Sequence, residues 1–213
     1  MPKALIEIAG KPLFVHAADL LVRHPACIEA VIAAPAGFEA DFAQAAKREW
    51  NDERVRVALG GATRQQSVLF ALRSLRKSCD AVLVHDAARA FVTRDLIARV
   101  LEALSGQFVG TVPGLPVTDT IKRVLTGSGI VLGTMDRADL MAVQTPQAVL
   151  RTIAIDAFER AAVDGTAGTD DVSLVEYYRL GPVRVVKGDP RNFKITTPED
   201  LARARVLLDY ATQ

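Results

Sequence analysis

Short apolar, β-branched runs alternate along this chain with stretches of helical period. "AVIAA" within 28–34, "VRVAL" at 55–59 and "AVLVHD" at 81–86 read as buried strands. The last is almost wholly apolar and ends in polar residues, as a parallel strand covered on both faces does. Between them, helices are predicted over 37–48, over 64–75 with a stripe of Val68, Leu69, Leu72 and Leu75, and over 93–104 with Thr93 as cap. The βαβα order predicts an α/β fold: a Rossmann-like, mostly parallel sheet flanked by helices.

The middle of the chain breaks this rhythm. Two alternating runs, Thr120–Val124 and Ile130–Gly133, flank the turn signal "TGSG" and predict a β-hairpin projecting from the domain. A two-stranded ribbon is marginal by itself, so its apolar Ile121, Val124, Ile130 and Leu132 call for a partner surface. A further helix is predicted at about 149–162 and a late strand in "GPVRVVKG". The terminal helix "TPEDLARARVLLDY" has Thr197 as cap, Pro198 at its first position and Glu199 and Asp200 in its first turn.

The 213 residues suit a single domain over 1–213, with 116–134 as its arm. A net charge of +1 gives no whole-chain reason to bind nucleic acid or a membrane surface, so any polyanion is held at a local site. No run approaches the roughly 18 apolar residues of a membrane span, and the N-terminus lacks the basic flank and apolar core of a signal peptide. Cys27 and Cys79 have no metal-type spacing and read as reduced thiols of a cytoplasmic protein.

In open α/β sheets ligands bind beyond the carboxyl ends of the strands, which singles out three polar stretches. "GGATRQQS" at 60–67 follows a strand and opens a helix; it is a ligand-approaching turn or a plain turn. "VLVHDAAR" sets Asp86 and Arg89 at a strand end, suited to a ribose, a metal ion or a phosphate, or to a local ion pair. His85 has no nucleophile at a fixed offset and reads as a packed histidine. "RNFKITTPEDL" places Lys194 in a short strand, facing the cleft or guarding an edge. Thr134, Arg137 and Arg151 are candidates for an anion pocket, or solvated charges. "GTDD" at 168–171 is a Mg²⁺ site or, more simply, a set of helix-capping acids.

In order, "PKALIEIAGKPL", "GGATRQQSV", "VLVHDAAR", "DTIKRV", "TMDR", "QTPQ", "GTDD" and "NFKITTPEDL" resemble the motifs of the 2-C-methyl-D-erythritol 4-phosphate cytidylyltransferase family, over almost the whole chain. The resemblance implies a transferase of non-mevalonate isoprenoid synthesis, moving CMP from CTP to the phosphate of 2-C-methyl-D-erythritol 4-phosphate with release of pyrophosphate. It makes Lys3 and Lys194 catalytic, puts CTP against Gly61, Ala62, Ser67, Asp86 and Ala87, and makes Asp86 a ligand of the Mg²⁺ cofactor. It assigns the acceptor phosphate to Arg89, Thr134 and Arg151, the last two reaching across a homodimer with exchanged arms. It also implies a central strand and a phosphate-wrapping glycine-rich loop ahead of Pro2-Lys3, where Met1 stands. Two other readings compete: a ribitol 5-phosphate cytidylyltransferase, and a catalytically inactive nucleotide-binding protein.

Overall fold

A computed structural model describes residues 1–76 and 78–211. The order begins with a 3-10 turn Lys3–Leu5, strands β1 Glu7–Ile8 and β2 Lys11–Pro12, helix α1 Leu13–Val22, β3 Ala30–Ala34, α2 Glu39–Glu49, β4 Val55–Leu59, α3 Arg64–Ser74, β5 Ala81–Val84 and α4 Arg94–Ala103. It continues with β6 Gly110–Pro116, β7 Lys122–Val124, β8 Val131–Thr134, a 3-10 turn Arg137–Asp139, β9 Met141–Val143, β10 Gln147–Leu150, α5 Arg151–Asp164, α6 Asp171–Tyr177, β11 Val183–Lys187 and α7 Pro198–Ala211.

The α/β architecture is as expected, but the strand directions are more mixed than mostly parallel. β3 pairs with β4, and β11 with β6, in parallel. β10 runs against both β5 and β6, and β9 runs against β6. The larger sheet has the order β11-β6-β10-β5 with β9 beside β6; β3-β4 is a separate ladder. β7 and β8 form the projecting hairpin, with a register shift between Arg123 and Val124.

Successive residues of a strand face opposite sides, and β5 shows the two layers. Val82 packs with Leu69, Leu72 and Phe158 of α3 and α5 and with Leu174 of α6. Leu83 packs with Leu96 and Ile97 of α4 and with Leu20 and Leu21 of α1. On β6, Thr111 is fully buried and donates its hydroxyl to the Val100 carbonyl of α4 at 2.7 Å.

Side chains start several of the helices, at Thr93 and Thr197 as expected. Thr63 and Thr93 accept from the Gln66 and Leu96 amides. Thr197 accepts from the Asp200 amide, while Asp200 accepts from the amides of Thr196 and Thr197. Of the "GTDD" acids, Asp170 caps α6, forming a reciprocal capping box with Ser173.

Several boundaries differ from expectation. The strand expected over 81–86 ends at Val84, and His85 and Asp86 lie in the following turn. Val149 and Leu150 belong to β10 rather than to the next helix. Lys194 lies in an extended loop, not a strand; the segment is fixed by one backbone bond, Ile195 N–H to the Ala88 carbonyl at 2.8 Å.

Candidate active site

The carboxyl ends of β4, β5 and β11 and the start of β10 face the same way, because Gln147 is in register with Val84 at the end of β5. Three loops therefore meet there. Gly60 to Ser67 follow β4, His85 to Arg89 follow β5, and the segment after β11 carries Asn192 and Lys194. A cavity of about 230 Å³ opens between the last two of these loops and the N-terminal segment, lined by Lys3, Ala4, Leu13, Asp86, Ala87, Ala88 and Lys194.

Asp86 is the electrostatic centre. Its side chain is 12% exposed; Lys194 Nζ lies 2.8 Å from Oδ2 and Arg64 Nε donates to Oδ1 at 2.8 Å. Burial alone raises a carboxyl pKa. Here the Lys194 hydrogen bond and the Arg64 charge outweigh burial and hold Asp86 at about 2. Arg64 also grips Asp171, whose side chain is 1% exposed, through both terminal nitrogens at 2.9 and 2.7 Å. Lys3 Nζ donates to the Ile195 carbonyl at 2.7 Å, bringing its ammonium to the loop that holds Lys194.

The turn at 60–67 is tied from within. Gly61 N–H donates to Ser67 Oγ at 3.0 Å, Ser67 Oγ donates to the Thr63 carbonyl at 2.9 Å, and Ala62 N–H donates to Gln66 Oε1 at 3.0 Å. A Cβ on Gly61 would lie 2.3 Å from Gln66 Cβ, so only glycine lets the chain pass this close to its own helix. Arg64, at the first position of that helix, links the turn to Asp86.

His85 serves structure, as its sequence context suggests. Its Nε2 contacts the Arg89 carbonyl at 3.0 Å, which can only accept, so Nε2 carries the proton. Nδ1 then accepts from the Thr145 hydroxyl at 2.9 Å, and Thr145 Oγ1 accepts from the Asp86 amide at 3.0 Å. Burial holds His85 at about 4 and keeps it neutral.

The structure thus gathers Lys3, Asp86, Ala87 and Lys194 in one cleft, with Gly61, Ala62 and Ser67 joined to it through Arg64. Arg89 borders it. Its Nη1 donates to the Asn192 carbonyl at 2.8 Å, and its Nε is buried without a hydrogen-bond partner. Thr134 belongs to the arm, where Lys122 Nζ donates to its hydroxyl. Arg151 is at the other end of β5: its amide bonds the Asp80 carbonyl, ahead of the strand that Asp86 follows. Within one chain Arg151 does not join the cleft, and its own Nε is buried without a hydrogen-bond partner. Arg137, on the 3-10 turn beside the arm, donates to the Thr118 carbonyl.

Arg64 lies in "GGATRQQS" and Asp171 in "GTDD", both candidate stretches, but the sequence does not report that the two pair; one signal points to Arg64. A cation in the first turn of a helix opposes the helix dipole, and α3 has no acid there to offset it. Such a charge needs carboxylates from elsewhere. A larger hollow of about 590 Å³ lies among Glu29, Trp50, Asp52, Arg54, Arg56 and Arg76. Arg54 and Arg56 spend their donors there on Asp52, Glu29 and the Cys27 and Ser74 carbonyls.

A cationic cleft at the carboxyl ends of the strands of a helix-flanked sheet is where open α/β folds bind their ligands. A family model described as IspD, 2-C-methyl-D-erythritol 4-phosphate cytidylyltransferase, matches residues 1–210, and the chain belongs to that family. It is 43% identical to a bifunctional enzyme IspD/IspF of Clavibacter michiganensis, over 98% of this chain and 50% of that protein. It is 42% identical to the 2-C-methyl-D-erythritol 4-phosphate cytidylyltransferase of Sodalis glossinidius, over 96% of this chain and 84% of that one. The chain spans about half the length of the bifunctional relatives it matches. Among solved structures, 4-diphosphocytidyl-2C-methyl-D-erythritol synthase of Anaerococcus prevotii superposes with a TM-score of 0.87 at 26% identity, covering 97% of this chain and 93% of that one. The 2-C-methyl-D-erythritol 4-phosphate cytidylyltransferase of Thermus thermophilus gives 0.79 at 33% identity, covering 98% and 94%. No helix among the described residues is long and apolar enough to cross a membrane.

Proposed function

We propose that this protein transfers CMP from CTP to 2-C-methyl-D-erythritol 4-phosphate, in the cytoplasm, as a step of isoprenoid precursor synthesis. An acceptor phosphate oxygen attacks the α-phosphorus of CTP in line. A new P–O bond forms as the bond to the β-phosphate oxygen breaks, and pyrophosphate leaves with that electron pair. Charge grows on the equatorial and leaving oxygens, so catalysis is mainly positioning plus fixed positive charge. The observation that carries this reading is the Asp86–Lys194 pair at 2.8 Å in a cleft shared with Lys3. Two compact ammonium groups there suit developing oxyanions. The cytosine is assigned to the turn at Gly61, Ala62 and Ser67, and the acceptor phosphate to Arg89.

Mg²⁺ fits this site as a shared ion. Among the described residues no three acidic, histidine or cysteine side chains cluster, but Mg²⁺ is commonly held by one or two carboxylates plus substrate phosphates. Asp86 would supply the carboxylate, and the ion would neutralise phosphate charge. Nucleotide choice tests the reading. With 2-C-methyl-D-erythritol 4-phosphate as acceptor, pyrophosphate release is expected from CTP and not from UTP or ATP, since a site matched to one base leaves polar groups unpaired with another. Equal use of UTP, or faster turnover of ribitol 5-phosphate, would overturn it.

The arm is proposed as the contact of a homodimer. Val124, Leu125, Ile130, Val131 and Leu132 are 47–59% exposed on the hairpin, more apolar surface than a lone ribbon keeps in water. A role for Thr134 or Arg151 at the acceptor phosphate belongs to such a dimer, with each reaching its partner's cleft. Sedimentation equilibrium is expected to give a dimer that the double variant Ile130→Asp, Leu132→Asp dissociates. A monomeric wild type would remove the arm-exchange reading.

A further inference from the structure

We infer that Arg64 and Asp171 are positioning residues: together they hold Asp86 as a fixed carboxylate, so that Lys194 can leave it for a phosphate. This rests on the proposed function in one respect, that Lys194 turns to a phosphate during turnover.

Four side chains of alternating sign form a row from the core to the cleft: Asp171, Arg64, Asp86 and Lys194. Its inner end is anchored. The Asp171 amide donates to Gln147 Oε1 at 3.1 Å, Gln147 Nε2 donates to Asp170 Oδ2 at 2.9 Å, and Asp170 caps the helix that carries Asp171. A buried lone carboxylate is costly unless paired with good geometry, and both terminal nitrogens of Arg64 meet this one. A guanidinium is planar, so gripping its two terminal nitrogens fixes the plane and the direction of the third N–H. That N–H points at Asp86 Oδ1, 2.8 Å away.

The outer end is different. The Lys194 side chain is 44% exposed, on an extended loop, and takes the other Asp86 oxygen. A triphosphate entering the cleft competes with Asp86 for that flexible ammonium. With Arg64 in place, Asp86 keeps one cation when Lys194 departs. Without it, releasing Lys194 leaves a partly buried and no longer aimed carboxylate with only the Mg²⁺ that would come with the triphosphate, and Lys194 is released less readily. The cost falls on the step that needs Lys194 charge, hence on kcat more than on CTP binding. A lysine at position 64 has one ammonium and cannot grip Asp171 with two nitrogens while aiming a third at Asp86.

Steady-state kinetics of Arg64→Lys, Asp171→Asn and the double variant test this, with thermal melting to confirm folding. Each single variant is expected to lower kcat about 10-fold or more while KM for CTP moves by less than about three-fold, with rates expressed per folded enzyme, because loss of folded protein also lowers apparent kcat at constant KM. The double variant is expected to be no worse than the worse single one, because both break the same chain. Asp171→Glu, which keeps a carboxylate, is expected to restore part of the loss. If Asp171→Asn does not fold, Arg64→Lys carries the kcat test alone. Proton–nitrogen NMR gives a readout independent of turnover: the Arg64 Nε–H resonance should persist in Lys194→Ala and be lost in Asp171→Asn. Independent, multiplying losses, an unchanged kcat, or an unmoved resonance would overturn the inference. A wild type that turns over no CTP but shows the expected resonance changes would remove the functional reading and leave the clamp standing.

Discussion

Replacing Lys194 with alanine is expected to lower kcat by about 100-fold or more, the scale for losing one preorganised group that stabilises transition-state charge. The ammonium stands on Asp86 at 2.8 Å in the resting site, within the cleft, from which it turns to a phosphate. Its partner there is held at about 2 and stays ionised throughout the working pH range. Lys3→Ala is expected to act similarly, since Lys3 Nζ is fixed on the Ile195 carbonyl beside the same loop. CTP affinity should fall less than kcat, because the triphosphate carries several charges and only part of its attraction comes from either lysine. Steady-state rates with saturating acceptor separate the two effects; near-normal kcat in either variant would contradict the assignment.

Folding stability is expected to fall by about 3 kcal/mol as pH drops from about 6.5 to about 4, on account of His85 alone. Its ordinary value is 6.5 and burial holds it at about 4 in the folded protein. Above 6.5 the imidazole is neutral in both states and contributes nothing to the pH dependence. Between the two values the unfolded chain takes up a proton that the folded chain does not, so unfolding gains. Below about 4 both states are protonated and the loss is complete. Burial raises Asp171 and Glu176 instead, which works in the opposite direction, so the comparison must isolate His85. Urea denaturation at several pH values is expected to show a smaller drop in this window for His85→Gln than for wild type. Equal drops would mean that the buried imidazole is not neutral.

Much of this was legible in the sequence because local signals and tertiary roles agree. The apolar run ending at Val84 and the polar turn after it read as a strand entering a site, and that is where Asp86 lies. The caps at Thr93 and Thr197 needed only their own helices. β6 did not read as a central strand because Pro113 and Pro116 argue against one. It is tolerated because the partners along one side change there, β10 meeting Gly110 and Thr111 and β9 meeting Gly114 to Pro116. The start of α5 was misplaced because Leu150 provides no side-chain cap and the apolar run crosses the boundary unbroken. The Arg64–Asp171 clamp joins residues 107 apart in sequence, and no local pattern reports such a pair. Arg151 shows the converse: its neighbours in sequence suggest an anion pocket, but antiparallel β10 carries it to the far end of β5.

Phosphorus NMR of the purified protein incubated with CTP, Mg²⁺ and 2-C-methyl-D-erythritol 4-phosphate measures the transfer itself. The expected result is loss of both substrates' signals, free pyrophosphate, and a pair of mutually coupled diphosphate resonances from the cytidylylated product, formed much more slowly by Lys194→Ala. Substrates that persist unchanged, or pyrophosphate released equally fast without the acceptor, would contradict it.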